Sequence, residues 1–169
     1  MTFSEFVVER QRGLLRFAMV LTGDARLCEE IVQDVLVRAY ERWAHIGALE
    51  YPNAYVRRMV VNEFLSWRRK WSRVDPFDVA AHGIAQSDHA EAYAERTAVL
   101  SDLAKLPRKQ RAVLVLRYYD GLSDAEIAEV LGCSAGTVRG YASRALATLR
   151  IENPSTASPA GTASEEVAR

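Results

Sequence analysis

The chain has 169 residues, enough for one ordinary domain or two small ones, and 49% of them are hydrophobic, so it can bury a core. Its 22 basic and 22 acidic residues cancel but lie in blocks, with net charges of +2, −4, +4 and −2 over residues 1–72, 73–102, 103–150 and 151–169. Two distant cysteines, an N-terminus interrupted by charges and the lack of a long apolar run argue against a disulfide framework, a signal peptide and a membrane span, and we expect a cytoplasmic protein.

The hydrophobic periodicity predicts helices throughout, because no segment alternates polar and apolar residues as a half-buried strand does. The predicted helices cover about residues 3–21, 25–43, 52–72, 91–105, 108–119, 124–131 and 135–150. Residues 44–53 are predicted to form a loop, 73–90 a flexible linker and 151–169 a disordered tail, because these segments lack periodicity. The expected fold is all-α, with two small helical domains over 1–72 and 91–150, the second a four-helix domain.

The second helix carries one clear apolar stripe and further apolar residues between its charges. Leu27, Ile31, Val35 and Ala39 form the stripe at helical spacing. The remaining apolar positions lie on another side, so the pattern indicates a helix that packs on two faces. A protein partner is one way to cover the second face.

The third helix separates an aromatic face from a polar one. Val56, Val60, Phe64, Trp67 and Trp71 share the first face, and the two tryptophans are better explained as core than as stacking platforms. The second face carries basic, amide and hydroxyl groups on Arg58, Asn62, Ser66 and Arg69. Such a strip suits single-stranded or melted nucleic acid, although a solvated helix face often has the same composition.

The two C-terminal helices have the signature of a helix-turn-helix. Ser123 and Glu126 form a predicted capping box, and Gly132 to Ser134 form a tight turn. On the last helix Val138, Ala142, Ala145 and Leu149 point to the core, while the opposite strip consists of small residues.

The opposite strip of the last helix is edged by cations and contains no acid. Its members are Gly136, Gly140, Ser143 and Ala147, flanked by Arg139 and Arg150 on one side and by Thr137 and Arg144 on the other. Small residues allow a close approach, and arginine reaches guanine edges, so the pattern predicts a helix that enters a major groove. Tyr141 lies at the edge of the core stripe and suits either packing or contact.

Taken in order, these parts resemble an extracytoplasmic-function-type RNA polymerase sigma factor, a minimal two-domain bacterial family. The resemblance covers about residues 3–150 and is carried by LTGDARLCEEIVQDVLVRAYERW, YPNAYVRRMVVNEFLSWRRKW and the run from Leu106-Pro-x-x-Gln-Arg111 to Gly136-Thr137-Val138. Family members commonly have a basic residue at Tyr141, a bulky apolar residue at Ala142 and often an acid at Ser66, and Gly140 is an unusual choice. These departures affect the promoter sequence that is read, not the binding mode.

The resemblance implies roles for three sets of residues. Core polymerase would be bound by Gln33, Asp34, Val35, Arg38 and Trp43. The −10 element would be read by Arg58, Asn62, Ser66 and Arg69, with a flipped base held by the 44–53 loop. The −35 element would be contacted by Ser134, Thr137, Arg139, Gly140, Tyr141, Ser143 and Arg144.

The resemblance also implies promoter DNA and core RNA polymerase as partners, with an anti-sigma factor as a further candidate. A relaxed 18-residue linker spans only ~23 Å, whereas the two promoter elements lie more than one turn of DNA apart, ~34–36 Å. We therefore expect weak DNA binding by the free chain and specific binding once polymerase separates the domains.

Three other functions remain open at this point. A free-standing helix-turn-helix regulator shares the C-terminal pattern, and a regulatory adaptor would keep the fold but bind only proteins. An enzyme is disfavoured, because His45, His82 and His89 lack ligand spacing and no nucleophile or phosphate-loop motif is present. We expect no metal and no cofactor.

Overall fold

The computed structural model describes residues 1–71 and 90–152, with side chains for 1–66 and 97–150. The helices are α1 Phe3–Thr22, α2 Ala25–Glu41, α3 Trp43–Ile46, α4 Pro52–Trp71, α5 Ala90–Lys105, α6 Arg108–Leu114, α7 Asp124–Leu131 and α8 Ala135–Glu152. A π-helical turn, Val115–Tyr119, follows α6. These ranges contain no strand, so the all-α prediction is confirmed there. The predicted linker and tail lie almost wholly outside the described residues.

Most helix boundaries lie where the sequence predicts them, because capping residues and glycines determine where these helices begin and end. Gly23, Gly121 and Gly132 all have positive φ. Glycine adopts this left-handed conformation at a helix end without steric strain, because it has no Cβ. Asp24 accepts a hydrogen bond from the Leu27 amide at 2.8 Å and so caps α2. The predicted capping box at α7 is present, since the Ser123 hydroxyl accepts from the Glu126 amide and the Glu126 carboxylate accepts from the Ser123 amide. The hydrogen bonds from Ser123 lower the pKa of Glu126.

Two boundaries differ from the prediction. The second helix ends at Glu41, and the predicted loop 44–53 begins with the short helix α3, which contains His45. The predicted helix 108–119 becomes π-helical after Leu114, where the Asp120 amide donates to the Val115 carbonyl at 3.2 Å. This wider turn keeps Val115 buried while leaving Tyr118 exposed.

Two helical domains are packed against each other around one continuous apolar cluster. Helices α1, α2 and α4 pack together in the N-terminal domain, and α6, α7 and α8 pack together in the C-terminal one. The fully buried side chains include Phe6, Phe17, Phe64, Ile31, Leu116 and Ile127. Helix α1 also contacts α5, and α4 contacts α6 and α7, so the structure shows a closed arrangement of the domains.

Cys28 is expected to react with Ellman's reagent far more slowly than Cys133 in the native chain at mildly alkaline pH. Burial, followed by the charges of Glu29 and Asp24, raises the pKa of the Cys28 thiol to about 11, and the thiol donates to the Leu15 carbonyl at 3.1 Å. Since only the thiolate attacks, the rate difference is about tenfold or more. The raised pKa also means that this thiol stabilises the fold below pH ~8.5 and loses that contribution as the pH rises toward about 11.

The measurement compares the rates in native buffer and in denaturant. Equal rates for the two thiols in denaturant serve as the control, and equal native rates would contradict the buried position of Cys28.

Candidate nucleic-acid interface

The buried stripe of α8 fixes which side of this helix faces solvent. Val138, Ala142 and Ala145 are buried and Leu149 is half-buried, as their helical spacing predicts. The apolar stripe therefore seats α8 on α6 and α7 and turns its small-residue strip outward.

The outward side of α8 is exposed even in the closed arrangement. Its exposed residues are Gly136, Arg139, Ser143, Arg144, Ala147 and Arg150. Three arginines thus flank a strip without bulky side chains, and the described part of α8 carries no acid before its last residue, Glu152. A guanidinium on such a strip has access to both phosphates and base edges in a groove.

The start of α8 is organised by hydroxyl groups. Ser134 accepts the Thr137 amide at 3.1 Å, and the two hydroxyls lie 2.9 Å apart. The side chains of Ser134 and Thr137 are therefore held at the helix N-terminus, where the positive end of the helix dipole favours an anion such as a phosphate.

The Arg144 guanidinium lies over the Tyr141 ring and beside the position of Gly140. The guanidinium lies 5.4 Å from the centroid of the half-buried Tyr141 ring, and it would touch a Cβ added at Gly140 at 3.6 Å. Tyr141 thus packs against the helix and carries a cation on its face.

A cleft of about 590 Å³ adjoins the exposed side of α8. Arg117, Arg139 and Arg150 line it together with Ser123 and Asp124. Arg117 forms an ion pair with Asp124 at the start of α7. The sequence pattern did not single out Arg117, because it precedes the helix-turn-helix and joins this cluster only through the tertiary fold.

The polar face of α4 is partly engaged by the second domain. Arg58 and Asn62 are exposed, and Ser66 is half-buried with its hydroxyl donating to the Glu63 carbonyl. Arg58 donates to the carbonyl oxygen of Glu129 in α7 at 3.1 Å. Arg69, with Trp67 and Trp71, lies outside the described side chains.

A second surface lies on α2. Of the residues predicted to bind a protein partner there, some are exposed and one is buried in the core. Gln33 and Asp34 are exposed, but Val35 is fully buried against the core, so the prediction that Val35 lies on a partner surface is wrong for this structure. The carboxylate of the buried Glu63 pairs with Arg38. Trp43 packs on Phe3 and Phe6 and donates to the Met1 carbonyl.

Two exposed apolar residues on α2 were missed by the residue-level prediction. Val37 is 61% exposed and Tyr40 is 65% exposed. They form the second apolar face that the pattern of α2 indicated. Only the packing of α2 on α1 and α4 shows which of its apolar residues belong to that face.

Among the described side chains, no cluster of three or more His, Cys, Asp or Glu could hold a metal ion. In the described part of the chain, no helix is long and apolar enough to cross a bilayer.

Two family models match this chain. The model of sigma-70 region 2 matches residues 6–74, and that of sigma-70 region 4 matches residues 96–149. The first match covers most of α1 and all of α2 to α4, and the second covers the end of α5, all of α6 and α7 and most of α8, so each matched segment corresponds to one packed group of helices.

Curated relatives and solved structures resemble the chain over most of its length. The RNA polymerase sigma-E factor of Streptomyces avermitilis is 37% identical over 89% of this chain and 84% of its own length. The ECF RNA polymerase sigma factor SigL of Mycobacterium tuberculosis is 32% identical over 85% and 84%. The sigma factor RpoE of Bartonella quintana, in complex with the anti-sigma factor NepR, superimposes with a TM-score of 0.66 at 25% identity, covering 91% of this chain and 98% of that one.

Proposed function

This chain belongs to the sigma-70 family of RNA polymerase sigma factors, and we propose that it works as an extracytoplasmic-function-type sigma factor in the cytoplasm. It binds core RNA polymerase through α2 and reads promoter DNA through α4 and α8. It contributes recognition and DNA opening, while core polymerase supplies the catalysis. The observation that carries the proposal is the exposed, acid-free side of α8 on the same chain as a separate polar face on α4.

The −35 element is read by the exposed side of α8. Arg139, Ser143 and Arg144 are exposed there, while Ser134, Thr137, Gly140 and Tyr141 shape its N-terminal half. Arginine contacts to guanine supply base readout, and hydroxyl contacts to phosphates fix the register. Arg150 extends the positive surface toward the DNA backbone that flanks the −35 bases.

The −10 element is bound by the polar face of α4. Along α4 this face carries Arg58, Asn62, Ser66 and Arg69 in that order. The 44–53 segment precedes the start of the helix. Charged and amide groups on one strip suit a strand whose bases have been unstacked.

Core polymerase is bound by the exposed side of α2, with Val37 and Tyr40 as apolar contacts and Gln33, Asp34 and Arg38 as polar ones. A partner that buries apolar residues within a polar rim gains affinity from the apolar centre. We propose an anti-sigma factor as a second protein partner, because RpoE of Bartonella quintana was solved in complex with one.

A free-standing regulator is not supported. Such a protein needs a receiver or dimerisation domain in place of residues 1–72, whereas residues 6–74 match sigma-70 region 2.

The function is tested by co-purification with core polymerase and by run-off transcription on genomic fragments. We expect a stable complex and discrete transcripts that neither core enzyme nor chain gives alone. Failure of both assays would overturn the proposal.

Val37→Asp is expected to weaken binding to core polymerase about tenfold or more. Burying a valine side chain contributes about 1.5 kcal/mol or more, and a carboxylate in its place also has to be desolvated. The measurement is fluorescence anisotropy of the labelled chain titrated with core enzyme.

The matched control is Val8→Asp, a change of the same kind at a valine that is 84% exposed on α1. We expect unchanged affinity for this variant and native circular dichroism for both. Equal affinities for the two variants would remove α2 from the proposed interface.

A further inference from the structure

The guanidinium of Arg144 lies about one helical turn back along α8 from its own Cα. Its two terminal nitrogens are 3.6 and 3.7 Å from the position that a Cβ would occupy at Gly140. Long side chains on a helix lean toward its N-terminus, which accounts for this direction. The forked end of the side chain, the part of an arginine that recognises guanine, therefore lies over the bare backbone of Gly140.

Arg139 has a similar position nearer the start of the helix. One of its terminal nitrogens is 3.9 Å from the position that a Cβ would occupy at Gly136. Each of these exposed arginines thus lies over a glycine that precedes it by three or four residues. The two arginines are five residues apart, about 7.5 Å along the helix axis, so they reach different base pairs of a major groove.

The two arginines differ in what lies beneath them. The Arg144 guanidinium is 5.4 Å from the centroid of the Tyr141 ring, and among the side chains that the structure describes no aromatic ring lies beneath Arg139. Tyr141 is half-buried and packs against the apolar core, so its ring is a fixed surface that attracts the cation above it. Residues 140–148 include no acid that would draw the guanidinium elsewhere along the helix.

We propose that Tyr141 is a positioning residue for −35 recognition: its ring fixes the Arg144 guanidinium over Gly140, so that Arg144 selects the base pair facing Gly140. An arginine that is already oriented loses less conformational freedom on binding and discriminates more sharply at one base pair. Arg139 has no such ring and reads its base pair independently of Tyr141. This inference rests on the proposed function and adds to it the residue that sets where Arg144 reads.

The test selects −35 sequences with the holoenzyme, which is the chain combined with core polymerase. A promoter found by run-off transcription keeps its −10 element, its −35 positions are randomised, and the DNA that the holoenzyme binds is sequenced. Arg139→Ala and Arg144→Ala identify the position that each arginine reads. Tyr141→Leu keeps an apolar side chain against the core but has no aromatic face. We expect it to lower selection about two- to fivefold at the Arg144 position and to leave the Arg139 position unchanged.

Two further variants separate positioning from direct contact. Tyr141→Phe is expected to retain the selection that Tyr141→Leu loses, because a phenyl ring also attracts the cation. In an Arg144→Ala background, Tyr141→Leu should have no further effect at that position, since no guanidinium remains to be oriented. The matched control is Tyr118→Leu, the same change at a tyrosine that is 66% exposed in the same domain, and we expect it to select as the wild-type chain does. Circular dichroism checks that every variant is folded.

Several outcomes of the selection would overturn the inference. Unchanged selection with Tyr141→Leu or with Arg144→Ala would do so, as would equal losses at the Arg139 and Arg144 positions, which indicate a structural role. Loss of selection with Tyr141→Phe would show that the hydroxyl itself contacts DNA. A wild-type holoenzyme that selects no −35 sequence would instead show that the proposed function is wrong.

A second measurement observes the contact in the free chain, without DNA or polymerase. Protons above the face of an aromatic ring are shielded, so the Nε proton of Arg144 should resonate upfield in nitrogen-15 NMR spectra of the wild-type chain and of Tyr141→Phe. We expect this upfield shift to disappear in Tyr141→Leu, while the Nε proton of Arg139 keeps its position in all three spectra. An Arg144 signal that Tyr141→Leu leaves unchanged would show that the ring does not hold the guanidinium.

Discussion

Replacing Arg139 and Arg144 together by alanine is expected to lower promoter-specific transcription about a hundredfold or more. Each guanidinium that reads a base contributes about 1–3 kcal/mol of discrimination, and about 1.4 kcal/mol corresponds to a factor of ten. Both side chains are exposed in the closed chain, so their truncation leaves the core of the C-terminal domain intact. The measurement is run-off transcription with saturating core polymerase, accompanied by anisotropy with a −35 duplex.

The control removes two equivalent charges elsewhere. Arg12 and Arg16 are both exposed on α1, far along the sequence from α8, and Arg12→Ala with Arg16→Ala produces the same change in net charge. We expect this control to keep near-normal output. Unchanged output from the Arg139 and Arg144 variant would instead support a regulatory adaptor that binds proteins only.

The single variants separate base reading from phosphate contact. Loss of an arginine that reads a base relaxes sequence selection at one position of a randomised −35 library. Loss of an arginine that contacts a phosphate lowers the affinity for all sequences alike and reduces the salt dependence of binding by about one ion. Tyr141→Phe should behave as the wild-type chain in this comparison, because a phenyl ring still carries the Arg144 guanidinium on its face.

Local chemistry made the helix ends and the α8 faces predictable. Gly132 ends α7 with a left-handed φ at the predicted turn, and Ser123 caps the start of the same helix. The stripe from Val138 to Ala145 is buried, as expected. In each case the signal lies within about one or two helical turns, so neighbours along the chain determine the outcome.

The features that escaped prediction depend on contacts distant in sequence. On α2 the helical spacing places Val35 on the core stripe, but the exposure of Val37 and Tyr40 depends on where α1 and α4 pack against this helix. The π-helical turn changes the register after Leu114 without any breaker residue. The hydrogen bonds that Arg57 and Arg111 donate across the domain boundary join residues more than sixty positions apart and leave no periodic trace.

Arg111 belongs to the Leu-Pro-x-x-Gln-Arg run through which the chain resembles its family, yet its partners could not be inferred from that run. It is 8% exposed, donates to four backbone carbonyls and lies 5.7 Å from the centroid of Phe64. Burial, followed by the charge of Arg108, lowers its pKa from that of a free arginine. The side chain is thus a buried cation whose bonds are to carbonyl oxygens, which makes its replacement costly.

Arg111→Ala is expected to lower the free energy of unfolding by about 3 kcal/mol, because the change leaves buried carbonyls unpaired and opens a cavity at the domain boundary. Urea unfolding followed by circular dichroism measures the loss. Arg111→Met fills most of the volume without restoring a donor, so it should recover only the share of the lost free energy that comes from the cavity. Arg111→Lys restores the charge, but its single nitrogen cannot reach all four carbonyl acceptors. Lys109→Ala, a cation removed from an exposed position on the same helix, should change the free energy by less than about 0.5 kcal/mol. Equal stability of the Ala, Met and Lys variants with the wild-type chain would show that the carbonyls at the ends of α1 and α5 find other partners, and that Arg111 does not hold these two helices together.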